Sequence, residues 1–447
     1  MHSCPASPAP PAFSEAGEDR PQVALAASPE ATKRQAAPIT VLYLDHTAAA
    51  SGGEIALVRL LGALDPEVVR PVVLVAADGP MVRSLEALNI TTHVLPLGEH
   101  VRNVRKDTLG LAALWKFGAF LSIFWYGLRV AWFARRCGAK IIHTNSLKAD
   151  IYGGIAAFFA RLPVVWHVRD YINRSYLPGP AVAIFRFLVG KIPSFVVANS
   201  QSTLDELHLG GACRAAVVPS GLRLKSRVVH DGLVHREFDE EAGPGLDSQR
   251  GKATSRRPFR IGMIGRITRW KGQHIFLEAA AQITAAGYVA EFLIVGAPLF
   301  GEQEYERELR EQAEKAGLSG RLTFLGFKEN VQEVLRSLDV FVHASISPEP
   351  FGQVVIEAMA EGVPVIATNG GGVREIISHG TSGLLVPMGD AGALAAALES
   401  LLSNPREARR LGAAGYHRVR SHFTAAQSAR KIERIYRDLL GTAAASL

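Results

Sequence analysis

One local pattern occurs twice in this chain and constrains its fold more than any other feature. Residues 39–45 (ITVLYLD) form an apolar, β-branched run, the small-residue loop 48–53 (AAASGG) follows, and a helical pattern opens at Glu54. The same order returns as Arg260–Ile264, the loop Gly265–Gly272 and a helical run from Ile275. Further strand-length apolar runs lie at Val72–Ala76, Lys140–His143, Val164–Val168, Ser194–Ala198, Ala216–Val218, Glu291–Val295, Leu322–Leu325, Val340–His343 and Val363–Ala367. Helical segments separate most of them. A strand that is apolar on both faces must be covered on both, so the alternation predicts an α/β chain with parallel sheets sandwiched by helices.

Residues 225–258 are polar, charged and Gly-containing, and read as a linker or insertion. They divide the body into two domains of Rossmann-like size, 39–224 and 259–422. Ligands of such sheets bind beyond the carboxyl ends of the strands, which makes the cleft between the domains the expected site. Residues 1–38, rich in Ala, Pro and Ser without period, are expected to be a disordered tail and not a targeting signal.

Composition narrows the class. The 48% hydrophobic and 20% charged content is globular, and the formal charge of +7 is a mild basic excess that hints at acidic ligands or an anionic surface. Cys4, Cys137 and Cys213 are scattered and odd in number, which argues against a disulfide framework or a structural zinc site and fits a reducing, cytoplasmic compartment. No nucleic acid is expected as a partner. The longest apolar stretch, Leu109–Phe133, is broken by Lys116 and Arg129, and the uncharged run between them, 117–128, is far short of the ~20 residues needed to span a bilayer. It reads as a largely buried helix. The alternative is an interfacial helix, because Arg102, Arg105, Lys106, Arg135 and Arg136 flank it and suit peripheral contact with anionic lipid.

The chemistry concentrates in the second half. Gly265 and Arg266 follow a strand, and Lys271-Gly272 precedes a helix. Backbone N–H groups, a helix N-terminus and two cations converging there suit a diphosphate. The loop matches neither GxGxxG nor the P-loop pattern, which disfavours nicotinamide enzymes and kinases of those types. Downstream, Glu349-Pro350-Phe351-Gly352-Gln353 sits between a strand and a helix that carries Glu357, and Asn369-Gly370-Gly371-Gly372 opens another helix. Two carboxylates so spaced can hold separate hydroxyl groups of one elongated ligand, although each alone is also a common capping or surface residue.

Taken in order, these motifs resemble the retaining GT-B glycosyltransferases of family 4 over roughly residues 39–441. Gly52-Gly53-Glu54 is similar to the family's glycine loop, His167 closes a strand where the family carries a cleft histidine, and Pro219-Ser220-Gly221 resembles its Pro-Asn-Gly turn with Ser in place of Asn. The resemblance implies two Rossmann-like domains whose parallel sheets face across a cleft, with a last helix (423–441) crossing back to the first domain. It further implies that Arg266 and Lys271 bind the diphosphate of a nucleotide sugar, a UDP- or GDP-sugar, and that Glu357 takes the ribose hydroxyls. Glu349 and the Phe351–Gly352 backbone would hold the sugar, with Gly265 and Gln353 beside them. Gly53 would allow close approach of donor and acceptor, and His167 would contact the sugar near the reacting carbon.

Gly52, Glu54, Asn145, Lys148, Arg169 and Asp170 are the acceptor-side candidates, for a saccharide or lipid-linked acceptor. No Asp-x-Asp occurs in the chain, so no metal and no cofactor is expected, with Arg266 and Lys271 in the metal's place. Two other classes compete: a nucleotide-sugar epimerase on the same fold, and a non-catalytic, membrane-associated binding protein.

Overall fold

In the computed structural model the described residues are 37–441, apart from 50, 99–112, 175, 210–224, 235–256 and 300. The expected tail, the run Ala216–Val218, the turn Pro219-Ser220-Gly221 and the flank Arg102, Arg105 and Lys106 therefore lie outside them.

Two parallel sheets organise the chain. The first is built from β1 (Ile39–Asp45), β2 (Val69–Val75), β3 (Thr91–Val94), β4 (Ile141–Thr144), β5 (Val164–Val168), β6 (Phe195–Ala198) and β7 (Lys225–Val228), in the order β3-β2-β1-β4-β5-β6-β7. The second contains β8 (Phe259–Ile264), β9 (Ala290–Val295), β10 (Leu322–Gly326), β11 (Val340–His343), β12 (Val365–Thr368) and β13 (Leu384–Val386), ordered β10-β9-β8-β11-β12-β13. In each sheet the strand order reverses beside the first strand, between β1 and β4 and between β8 and β11. A crevice opens at such a point beyond the strand ends, and there two loops diverge.

The continuous apolar strands follow from double coverage. Leu42 and Leu44 enter one core layer while Val41 and Tyr43 enter the opposite one, and Val342 and Phe341 divide in the same way in the second sheet. The last helix, Ala425–Leu440, belongs to the first domain's core: Ala429, Ile432, Ile435 and Tyr436 pack with Val41, Tyr43 and Leu57.

Two expectations are corrected. Lys225–Val228, read as the opening of a linker, pairs with β6 as an edge strand. It was hidden because its polar sequence carries no apolar run. The helix Ala113–Arg136 is not enclosed. Tyr126, Val130, Ala131 and Ala134 face the core, but Leu121, Trp125 and Trp132 are 44%, 58% and 62% exposed on its outer side. A single helical layer covers that face of the sheet, and nothing lies over it among the described residues. No helix among these residues is long and apolar enough to cross a membrane.

Candidate active site

The carboxyl ends of β1, β4 and β5 gather the first half of the site. The helix Gly52–Gly62 starts beyond β1, with Ser51 at its cap donating to the Glu54 carboxylate. Asn145, just past β4, donates through Nδ2 to Asp45 Oδ2 at 2.7 Å and to the Gly53 carbonyl at 3.3 Å. Arg169, just past β5, donates from Nε to Asn145 Oδ1 at 2.7 Å and pairs with Asp231. Gly53 packs beside the Arg169 side chain. Asn145 and Arg169 thus form one buried cluster with Asp45 and Asp231, and half-buried Gly53 lies against it.

Glu54 joins the cluster's edge. Burial, then the charge of Asp45, raises its pKa. Asp170 accepts the Tyr176 hydroxyl, and Lys148 is half-buried, with its pKa lowered by burial. His167 is buried at the end of β5 with Nε2 unpartnered. Burial, reinforced by Arg169 and His143, keeps its imidazole neutral by pushing its pKa well down.

The second half forms beyond β8 and β11. Gly265 and Arg266 leave β8, a short 3-10 turn holds Arg269–Lys271, and Gly272 caps the helix Gln273–Ala285. Gly272 has φ +75°, and a Cβ there would lie 2.0 Å from the Ala344 carbonyl oxygen, so only glycine lets this turn close on β11. Trp270 stands between the two expected cations: Lys271 Nζ lies 4.4 Å and the Arg266 guanidinium 6.0 Å from its ring centre. Gly265 lies against the Lys271 side chain.

Lys271 Nζ donates to Glu349 Oε1 at 2.6 Å, and His343 Nε2 lies 2.7 Å from the same oxygen, which also accepts from Ser345. Burial opposes ionisation of Glu349, yet Lys271 and His343 outweigh it and hold its pKa well below the usual range. The Phe351 ring is buried in the second domain's core against Phe423, so what Phe351 and Gly352 offer a ligand is backbone.

The two halves meet across the cleft. Arg59, on the helix that begins at Gly52, donates to Gln353 Oε1 at 3.0 Å and to Glu357 Oε1 at 2.8 Å. Gly52 faces the Gln353 side chain, whose Nε2 is buried and unpartnered. Tyr171 donates to the Glu349 carbonyl at 2.9 Å. Glu375 accepts from the backbone N–H groups of Gln201 and Ser202 at 2.9 and 3.1 Å. Sequence reasoning missed Arg59, Asp231, His343, Ser345 and Trp270. His343 and Trp270 sit within the motifs already singled out, but Arg59 and Asp231 carry no local signal.

Two parallel doubly wound sheets, each with its site loops beyond the strand carboxyl ends, define a two-domain α/β architecture with the site between the domains. The family comparisons agree. The model of "Glycosyltransferase Family 4" matches residues 50–226, and that of "Glycosyl transferases group 1" matches residues 247–418. The lipopolysaccharide core biosynthesis mannosyltransferase LpsB of Rhizobium meliloti is 31% identical over 62% of this chain and 80% of its own length. A phosphatidyl-myo-inositol mannosyltransferase of Mycolicibacterium smegmatis is 35% identical over 59% of this chain and 66% of its own. Several further relatives are matched over less than half of their length.

Among solved structures, Anabaena HepE in complex with UDP and glucose superposes with a TM-score of 0.71 at 27% identity, covering 89% of this chain and 99% of that one. The chain belongs to the group 1, family 4 glycosyltransferases, and it is a glycosyltransferase with the GT-B fold.

Proposed function

We propose that this enzyme moves a hexosyl unit from a UDP- or GDP-sugar to a saccharide or lipid-linked acceptor, with retention of configuration and without an essential metal, in cell-envelope or exopolysaccharide assembly. The observation that carries the reading is the Lys271–Glu349 pair at the starts of two helices, with Arg266 on the same loop as Lys271 and Glu357 on the second of those helices. The UDP-glucose bound by HepE supports a UDP-sugar, and the mannosyltransferase relatives support a hexose.

In this reaction the sugar–phosphate bond breaks, and the anomeric carbon bonds to an acceptor oxygen. The acceptor's proton passes to the leaving phosphate. Negative charge grows on the diphosphate, where Arg266, Lys271 and the helix N-terminus at Gln273 meet it. Each such fixed group is worth roughly 10²–10³ in rate. Glu357 takes the ribose hydroxyls, Glu349 and the Phe351–Gly352 backbone hold the sugar, and the buried, unpartnered Nε2 atoms of Gln353 and His167 are further points for its hydroxyls. Product analysis in chelator tests this. An α-linked product from an α-linked donor supports retention, whereas inversion, or loss of all turnover in chelator, contradicts the proposal.

The same reading places the enzyme on the cytoplasmic side, against the inner leaflet. The helices Ala113–Arg136, Leu147–Ala160 and Gly179–Val189 share one core layer and turn Leu121, Trp125, Trp132, Phe158, Ile184 and Phe187 outward. From Thr108 to Leu204 the chain has eleven Lys and Arg residues but two acids, Asp150 and Asp170, and Asp150 is buried, against 49 and 42 in the whole chain. Aromatic side chains interspersed with arginines match an anionic bilayer surface. Co-sedimentation with phosphatidylglycerol vesicles, weakened by salt and lost in a Trp125→Ser, Trp132→Ser variant, is the expected result. Equal partitioning of that variant and the wild type would overturn this part.

A further inference from the structure

His167 is the inner end of a chain of hydrogen bonds that crosses the first domain to the C-terminal helix. Tyr43 Oη lies 2.7 Å from Tyr436 Oη, Tyr436 Oη lies 2.7 Å from His143 Nδ1, and His143 Nε2 lies 3.1 Å from His167 Nδ1. All four residues are buried.

Counting protons gives the chain a direction. Arg169 Nη2, which can only donate, lies 3.5 Å from His167 Nδ1, so that nitrogen is an acceptor. His143 therefore donates to it from Nε2–H, and its bare Nδ1 takes the Tyr436 proton. The Tyr436 oxygen in turn accepts from Tyr43. The reverse order would leave the buried Tyr43 hydroxyl proton without an acceptor among the described contacts, at the cost of an unmade hydrogen bond. Neither imidazole is charged: burial, then Arg169, lowers the pKa of both, that of His143 to about 3. The proton of His167 is thus on Nε2, the buried nitrogen with no partner.

We propose that His143, Tyr436 and Tyr43 are positioning residues that lock His167 in its Nε2–H tautomer, so that it meets the donor sugar as a hydrogen-bond donor and not as a base. The proposal rests on the reading of His167 as a sugar contact. It assigns to that position a sugar oxygen that accepts, and it makes the docking of the last helix part of the site.

Long-range 1H–15N correlation on the full-length protein labelled with 15N-histidine reads each tautomer directly, with the His167 signals identified by their loss in His167→Gln. The expected result is Nε2 protonation of both His143 and His167 in the wild type. Tyr436→Phe should mix the His167 tautomers and lower kcat roughly fivefold, the scale of one hydrogen bond, with donor KM unchanged. Tyr43→Phe should act in the same direction and less. A wild-type His167 protonated on Nδ1, or an unaltered tautomer in Tyr436→Phe, would overturn the relay. Full turnover by His167→Gln would instead overturn the sugar contact, and the positioning role would fall with it.

Discussion

Replacing Lys271 by Met removes the permanent cation paired with the buried Glu349 carboxylate, with consequences for both stability and rate. The Lys271 and Glu349 side chains are 14% and 7% exposed and 2.6 Å apart. Removing one partner of a buried pair costs about 3–5 kcal/mol, because the other charge is left uncompensated. Here His343 and Ser345 remain on the same Glu349 oxygen, so the lower end, about 3 kcal/mol at pH 8, is expected.

The cost depends on pH with a definite sign. The folded-state pKa of Glu349 is depressed, so its contribution to stability is present above its unfolded pKa and is lost as pH falls through the folded value. Without Lys271 the carboxyl is easier to protonate, and the deficit narrows from pH 8 toward pH 5. Turnover at saturating donor should fall about 10²–10³-fold at every pH, since the diphosphate has lost a cation. Urea titrations at pH 5 and 8, with assays of nucleotide release, read both effects. A variant equal to the wild type in stability and rate, or one whose deficit grows on acidification, would refute the reasoning.

Two further outcomes follow from single positions. Burial, only partly offset by its bond from Thr144, raises the pKa of Asp150 well above the ordinary range, so the folded state holds its proton more tightly than the unfolded chain and loses stability as pH rises from the unfolded pKa. Asp150→Asn should therefore raise the melting temperature at pH 8 and change it least at pH 5, as calorimetry at the two pH values would show. Gly371 has φ +64°, and a Cβ there would lie 2.1 Å from the Glu349 carbonyl oxygen and 2.5 Å from Tyr171 Oη. Gly371→Ala should destabilise by more than about 1 kcal/mol and loosen the two domains, visible as a larger radius of gyration in X-ray scattering.

The fold was legible because burial on both faces forces a recognisable composition. β1, β5 and β11 are mostly apolar on both faces, and each stands out in the bare sequence. β3 and β7 lie at the two edges of the first sheet; one covered face or less tolerates polar residues such as Thr91, Lys225 and Arg227, and the apolar signal disappears. Lys271, Glu349, Gln353 and Glu357 were legible for another reason: loop and helix start are contiguous, so chemistry and spacing appear together. Asp231 and Arg59 were not. Asp231 lies in a polar stretch and Arg59 on a helix otherwise read for its glycines, and only tertiary packing brings them to Arg169 and Glu357. The helix Ala113–Arg136 shows a similar limit, since apolar residues around its circumference do not say which side another layer will cover.

Arg266, Lys271, Glu349 and Glu357 of the second domain are proposed to form the binding site of a nucleotide sugar. Calorimetric titration of the wild type and Glu357→Gln with UDP, GDP and their hexose conjugates, in chelator, tests it most directly. The account predicts binding of one nucleotide series without metal, weakened in the variant by about 1.5–3 kcal/mol, the scale of a hydrogen bond to a charged group. Equal affinity in the two proteins, or binding of no nucleotide by the wild type, would contradict it.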